Sequence, residues 1–326
     1  MEKRQRVEEL LNIPFGFSRG AGSTRLVTTY DEAAAGLAAH GRAIVRVRAE
    51  AGAQPATLPA GYPFGWMATA LGRTSSLACV TSPFVEARPI SFVVITHRPE
   101  VLERHLAASP VIGGARHQLI TVANPRSAAA GLNAGLAQAA HAVVAFVHHD
   151  VYLPPWWESQ LETALRDLDR RDPEWGVLGP AGARLEGTQL HYAGSLLDGT
   201  ASRRWGFPWG LPVEVDTLDE LTLIVRREAG LRFDETLAGF HAYGTQLALA
   251  ARARGLRNYA ILAECEHRSE SSGWSPDAAY FAAHAQVAKR WSRRPYGAMF
   301  GAIPWVLPAP WREAVVTHYG GAAGSH

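Results

Sequence analysis

At 326 residues, with 47% apolar and 19% charged side chains, the chain has the composition of a folded globular protein and exceeds the usual span of one domain. Its 32 basic and 30 acidic residues leave a formal charge of +2, so no overall field calls for nucleic acid or an anionic bilayer as the main partner. The two cysteines, Cys79 and Cys265, are too few for a disulfide framework or a cysteine-based zinc site, which points to a reducing, cytoplasmic setting.

The charged opening Met1-Glu2-Lys3-Arg4-Gln5-Arg6 runs into Val7-Glu8-Glu9 with no apolar signal region, so secretion is not expected. Residues 1–88 read as a small accessory region of short helices and one strand, Ala43 to Val47, followed by a Gly/Pro-rich stretch from Ala51 to Gly65 that has the look of a linker or long loop. From Ser91 a regular alternation sets in: strand Ser91 to Thr96, helix Pro99 to Ala108, strand Gln118 to Ala123, helix Ser127 to Ala139, strand Ala142 to Val147. Strands alternating with helices predict an α/β fold whose central sheet is mostly parallel and flanked by helices. Runs such as Phe92-Val93-Val94-Ile95 are what strands covered on both faces require. A further strand is expected over Asn258 to Ala263. Residues 296–326 form a Pro/aromatic tail whose prolines rule out a membrane span, although contact with a membrane surface is compatible with it.

In such sheets ligands gather beyond the carboxyl ends of strands. Three polar clusters fall there: Thr96-His97-Arg98, Asn124-Pro125-Arg126-Ser127 and His148-His149-Asp150. A carboxylate at such a rim can hold Mg2+ or Mn2+ against substrate phosphate, and nearby imidazoles favour Mn2+. Equally, Asp150 can cap the next helix while both histidines stay in solvent. The loop Cys265-Glu266-His267-Arg268-Ser269 ends in small residues and suits a segment that closes on a ligand. No His-Glu-x-x-His helix and no Gly-rich phosphate loop with lysine occurs, which argues against a metal hydrolase.

The stretch Ser127-Ala128-Ala129-Ala130-Gly131-Leu132-Asn133, then Phe146-Val147-His148-His149-Asp150-Val151-Tyr152-Leu153-Pro154, resembles the inverting, family 2 type of GT-A glycosyltransferases. Within that type it looks closest to the subgroup containing the StrF-type streptomycin-biosynthesis domain. The resemblance extends through Asp219-Glu220-Leu221-Thr222, Phe233-Asp234-Glu235 and Gly239-Phe240-His241-Ala242-Tyr243-Gly244-Thr245-Gln246, and covers roughly residues 89–295. It implies a nucleotide-diphospho-sugar transferase fold that moves a sugar from a nucleoside-diphosphate donor to a hydroxyl of a glycan or small-molecule acceptor, with inversion. It further implies Asp150 and His267 as metal ligands with His148 beside them. Thr96, His97, Arg98, Asn124, Asn133, His149 and Arg268 would then line the donor site. Asn133 has an alternative reading as a helix-face residue bonded to its neighbour.

The resemblance also marks a departure. Where the family carries an acidic pair and a further Asp that supply the base, this chain has Tyr243-Gly244 and Gln246. Three groups remain for an inverting transfer, which needs a base on the acceptor hydroxyl: His241, Asp219 and Glu220. A catalytically inactive sugar-nucleotide or glycan-binding protein on the same fold is the alternative. Two basic-aromatic clusters complete the reading: Arg203-Arg204-Trp205-Gly206-Phe207-Pro208-Trp209 as an acceptor platform or packed loop, and Lys289-Arg290-Trp291 as a solvated helix end.

Overall fold

A computed structural model describes residues 26–27, 42–47, 68–70, 76–81, 87–154, 157–186, 189–198, 203–207, 212–269, 278–291 and 296–298. The Ala51–Gly65 stretch, the helix read over Asp31 to Ala39, the tip of the 270–274 loop, the platform residues Pro208 and Trp209, and the tail beyond residue 298 lie outside the described residues.

The chain divides into two compact units. The described part of the first is a four-stranded sheet built from β1 (Leu26–Val27), β2 (Arg42–Val47), β3 (Ala68–Ala70) and β4 (Ser76–Thr81), in the order β1-β2-β4-β3. The strand expected over Ala43 to Val47 is β2.

The second unit carries the α/β layers. Its central sheet comprises β5 (Ile90–Thr96), β6 (Gln118–Ala123), β7 (Val143–Val147), β9 (Val177–Gly179), β13 (Val213–Val215), β15 (Thr222–Arg226) and β16 (Asn258–Ala260). They lie in the order β13-β16-β9-β15-β7-β5-β6. The pairings β5 with β6, β5 with β7 and β9 with β16 are parallel, while β15 and β13 run against their neighbours, so five of the seven strands point the same way. The expected mostly parallel sheet is present.

Alternate residues of the apolar runs feed two cores on opposite faces, as the pleat dictates. Val93, Val144 and Phe146 join one core with Leu132, Leu247 and Val287 from α2 (Ala128–Leu136), α4 (Tyr243–Ala253) and α5 (Ala278–Trp291). Phe92, Val94, Ala145 and Val147 join the other with Leu102 from α1 (Pro99–Arg104) and Trp157, Leu161 and Leu165 from α3 (Trp157–Arg171). Helix α2 sits so close to β5 that a Cβ at Gly135 would lie 2.2 Å from Val93 Cγ1, which only glycine avoids.

Three elements are shorter than expected: helix α2 runs Ala128–Leu136 rather than Ser127 to Ala139, the Gln138 and Ala139 amides bonding back only three residues. Helix α1 stops at Arg104 rather than Ala108, because the Ala107 amide reaches back five residues to Leu102 O and loosens the helical ladder. Strand β16 stops at Ala260, where the Ala263 amide turns back onto Ile261 O.

A second sheet stands beside the first: β8 (Val151–Tyr152), β10 (Ala181–Glu186), β11 (Gln189–Asp198), β14 (Thr217–Leu218) and β17 (Glu266–His267), in the order β14-β10-β11-β17-β8, with β12 (Arg203–Phe207) paired to β11. The platform sequence from Arg203 therefore begins as a strand. Two pairings, one in each sheet, place the site. Strand β8 pairs antiparallel with β17, so Val151 faces His267 across the ladder. Strand β15 pairs antiparallel with β7, Thr222 opposite Val147, so the residues entering β15 lie beside those leaving β7.

Candidate functional site

The apolar strand β7 ends at Val147, and the next three side chains project at the sheet rim. Register then decides what meets them. Because His267 pairs with Val151, its Nε2 comes to 3.2 Å from Asp150 Oδ2, and the Arg268 amide donates to the Asp150 carbonyl at 2.8 Å. The other Asp150 oxygen, Oδ1, is buried without a hydrogen-bond partner among the described residues. Burial alone would raise the Asp150 carboxyl. The His267 hydrogen bond and the imidazoles of His148 and His149 outweigh it and hold the group well below the usual carboxylate range.

His148 is held from behind. Its Nε2 lies 2.5 Å from the Tyr243 hydroxyl at the start of α4, and that hydroxyl donates to the Glu220 carbonyl at 3.4 Å. One proton is shared in that short contact, and Nδ1 is the ring nitrogen left on the other side. It faces Asp150 Oδ1 at 3.9 Å. Burial keeps this imidazole neutral, lowering it to about 4 despite the Asp150 charge. A carboxylate oxygen and an imidazole nitrogen thus face each other, donor types that suit a divalent cation. Among the described residues no group of three His, Cys, Asp or Glu could hold a metal ion, so an ion held by Asp150 and its neighbours would need oxygens from substrate or water.

His149 turns the other way. The Arg98 amide donates to Thr96 Oγ1 at 3.0 Å, and the Thr96 hydroxyl is hydrogen-bonded to His149 Nδ1 at 2.7 Å. The exposed His97 ring stands 5.4 Å from the His149 ring, centroid to centroid. The β5 and β7 ends therefore form one surface. Asn124, at the adjoining end of β6, adopts φ 48°, and its amide donates to Thr96 O. Arg98 is paired with Glu100 at 3.0 Å, and the Arg268 guanidinium lies 3.8 Å above the Tyr152 ring and bonds Glu266.

The base candidates lie across the same rim. The His148 amide bonds Leu221 O at 3.0 Å, continuing the β7–β15 ladder and bringing Asp219 and Glu220 alongside. Asp219 is buried, and its Oδ1 accepts from the Leu221 amide at 2.9 Å; burial raises its carboxyl. Glu220 Oε1 accepts from the Gly244 amide at 2.7 Å, and burial pushes its carboxyl up to about 8. His241 stands close enough to act on His148 and packs edge-on to Tyr280 of α5, 5.7 Å between centroids. Ala242, between His241 and Tyr243, adopts φ 61°, a left-handed conformation that costs a non-glycine residue about 1 kcal/mol or more.

Asn133 is occupied elsewhere. Its amide donates to Phe233 O at 2.9 Å and Glu235 Oε1 at 3.1 Å, while its oxygen accepts from the Phe233 amide at 3.0 Å. Gln246 similarly accepts from the Asp234 amide at 3.0 Å. Sequence reasoning missed Tyr243 as the residue holding His148, and Tyr280 and His284 as rings beside the carboxylates and His241. Nothing marked them except an i,i+4 spacing on an ordinary amphipathic helix. Of the Lys289-Arg290-Trp291 cluster, Arg290 is tied to Asp234 rather than solvated alone.

No known family profile matches the chain. A curated protein from Fuscovulum blasticum, "ATP synthase subunits region ORF 6", is 34% identical over 125 residues, covering 36% of this chain and 48% of its own length. The chain thus spans about half the length of the curated relative it matches. Among solved structures, a mannosyltransferase from Pyrobaculum calidifontis in complex with GDP-Man and Mn2+ is similar at 16% identity and a TM-score of 0.43, over 74% of this chain and 77% of that one. Among the described residues no helix is long and apolar enough to cross a membrane.

Proposed function

We propose that the chain is a metal-dependent GT-A glycosyltransferase of the inverting family 2 type, moving a sugar from a nucleoside-diphosphate donor to a hydroxyl of a glycan or small-molecule acceptor. The observation that carries this reading is Asp150: a rim carboxylate with one oxygen against His267 Nε2 and the other buried and unpaired beside His148 Nδ1. Asp150 and His267 would hold the ion, Mn2+ before Mg2+ given the imidazoles, with His148 beside them and the remaining ligands from substrate or water. When bound, such an ion offsets the charge that grows on a departing diphosphate.

The chain's own groups do the rest. Thr96, His97, Arg98, Asn124 and His149 line the donor side, and Arg268 supports the diphosphate end. Asn133 acts from behind by anchoring the Phe233 turn. A group among Asp219, Glu220 and His241 takes the proton of the acceptor hydroxyl, which attacks the anomeric carbon as the bond to phosphate breaks. Gly244 and Gln246, standing where the family has acids, favour the second reading: a sugar-nucleotide or glycan-binding protein without turnover.

Purified chain screened against UDP-, GDP-, dTDP- and CDP-sugars with and without Mn2+ separates these. A donor that raises Tm only with Mn2+ and is slowly hydrolysed supports the transferase. Binding without hydrolysis supports the second reading, and no response from any donor sinks the transferase and leaves of the second reading only a glycan binder.

A further inference from the structure

We propose that the cavity between the 234–237 turn, helix α4 and the last turns of α5 is a second binding site, one that takes a small organic anion. It goes beyond the transferase reading and does not depend on it.

Three stretches of the chain enclose a volume of about 350 Å3, within the range that small-molecule sites occupy. The 234–237 turn supplies Asp234 and Leu237, α4 supplies Gln246, and α5 supplies Val287, Lys289 and Trp291. Hydrogen bonds fix this frame. Asp234 Oδ1 closes its own turn, accepting from the Thr236 amide at 3.1 Å and the Thr236 hydroxyl at 2.8 Å. Helix α5 is tied to that turn twice, by Gln286 Nε2 donating to Thr236 O at 2.9 Å and by Arg290 pairing with Asp234 Oδ2. The walls therefore stand without a ligand. None of the rim groups Asp150, His148 and His267 lines the cavity. The α5 axis carries Gln286 to Trp291 roughly 9–16 Å away from Tyr280, whose ring meets His241.

Charge decides what the cavity takes. Asp234 is the lone carboxylate in the lining, and both of its oxygens are committed, one to Thr236 and one to Arg290. Lys289 is exposed beside Arg290 and pairs with no carboxylate among the described residues, so two cations face one carboxylate and a positive charge is in surplus. Gln246 adds a directed donor. It is 5% exposed, and its Oε1 accepts from the Asp234 amide at 3.0 Å. A backbone N–H needs an acceptor, so that bond fixes which end of the side-chain amide is oxygen. The Nε2 end donates to no described residue, and a buried donor without an acceptor is costly, so its partner has to come from the cavity. Buried Leu237 and Val287 and half-buried Trp291 make the rest of the wall apolar. A bare inorganic anion would leave that wall in water. An oxyanion on a compact carbon body meets both parts of the lining, and carboxylate and phosphate share this chemistry.

The test is titration calorimetry on the full chain without metal, using four probes at millimolar concentration: a hexose 1-phosphate, a hexuronate, the neutral hexose and inorganic phosphate. At least one of the two charged sugars is expected to bind, about tenfold or more tighter than both the neutral hexose and inorganic phosphate. Which of the two wins tells phosphate from carboxylate. Lys289→Glu, at an exposed position, should weaken that binding by about tenfold or more, because it reverses the surplus charge. Gln246→Glu keeps an oxygen for the Asp234 amide while exchanging the free donor for a second carboxylate, and it should weaken binding as strongly at an unchanged Tm. If that variant is instead unstable, Lys289→Glu decides alone. Asp150→Ala should bind as the wild type does. Failure of both charged sugars to bind overturns the site. Neutral hexose bound as tightly overturns the anion, and inorganic phosphate bound as tightly overturns the organic body. An affinity that a folded Lys289→Glu or Gln246→Glu chain retains, or that Asp150→Ala removes, puts the ligand elsewhere and overturns the proposal.

Discussion

The two halves of the candidate site are built in different ways. The metal half grows from one strand end, where Val147 is followed by three consecutive polar residues and a single ladder step brings His267 against Asp150. The other half, which the proposed transfer would use for its acceptor, is assembled from three separate places: the turn into β15 supplies Asp219 and Glu220, the α4 N-terminus supplies His241 and Tyr243, and α5 supplies Tyr280. A site on consecutive residues is fixed by local chain direction. A site from three elements depends on register and helix packing. Tyr243 is the joint between the halves, since its hydroxyl touches His148 on one side and the Glu220 carbonyl on the other.

The largest effect should come from the metal half. Asp150→Ala removes a carboxylate that an ion would use, and is expected to abolish Mn2+-dependent donor stabilisation and lower hydrolysis on the order of a hundredfold or more, several kcal/mol of transition-state stabilisation. A variant with an unchanged Mn2+ response would remove the metal half from the comparison. Next is Asn133→Ala, which strands the amide and carbonyl of Phe233. It should cost about 1–3 kcal/mol in chemical denaturation while leaving the donor-induced Tm rise intact. Weaker donor response at full stability would instead place Asn133 among the donor contacts.

Tyr243→Phe tests the joint. Losing one hydrogen-bonding hydroxyl should cost about 1 kcal/mol of stability and weaken Mn2+ affinity on the order of tenfold, since the partner that orients His148 is gone. If only one of the two readouts moves, the halves are not coupled through this residue. The smallest effect is a slope. Burial raises the Glu220 carboxyl from its ordinary 4.5 to about 8, so between those values the folded chain holds a proton that the unfolded chain has lost. Stability should therefore fall as pH rises through that window, by less than about one proton's worth of slope, and Glu220→Gln should flatten it in pH-dependent denaturation. A slope unchanged by the substitution would mean that Glu220 stays ionised in the fold.

The metal half was the more legible in the amino-acid order, for a physical reason. A strand covered on both faces must be apolar until it leaves the sheet, so Ala142 to Val147 followed by His148-His149-Asp150 announces both the strand and its rim. The same reasoning located β5, β6 and the helices between them, because periodicity is a local property. The acceptor half left a gap at Tyr243-Gly244 and Gln246, and the order of residues offered His241, Asp219 and Glu220 without ranking them. Asn133 likewise kept two readings until its amide was seen bonded on both sides to Phe233.

What the sequence by itself determined, then, is the alternation of elements, the burial of the sheet on both faces and the chemistry gathered at strand ends. These follow from hydrophobic period and from where polar side chains interrupt it. What only the tertiary structure decided is which distant groups meet: His267 against Asp150 through the β8–β17 register, and Glu220 against Gly244 across 24 residues through the antiparallel entry of β15 beside β7. Register and helix approach depend on packing between elements far apart in the chain, and a 2.7 Å contact or the space of one missing Cβ is set at that level alone.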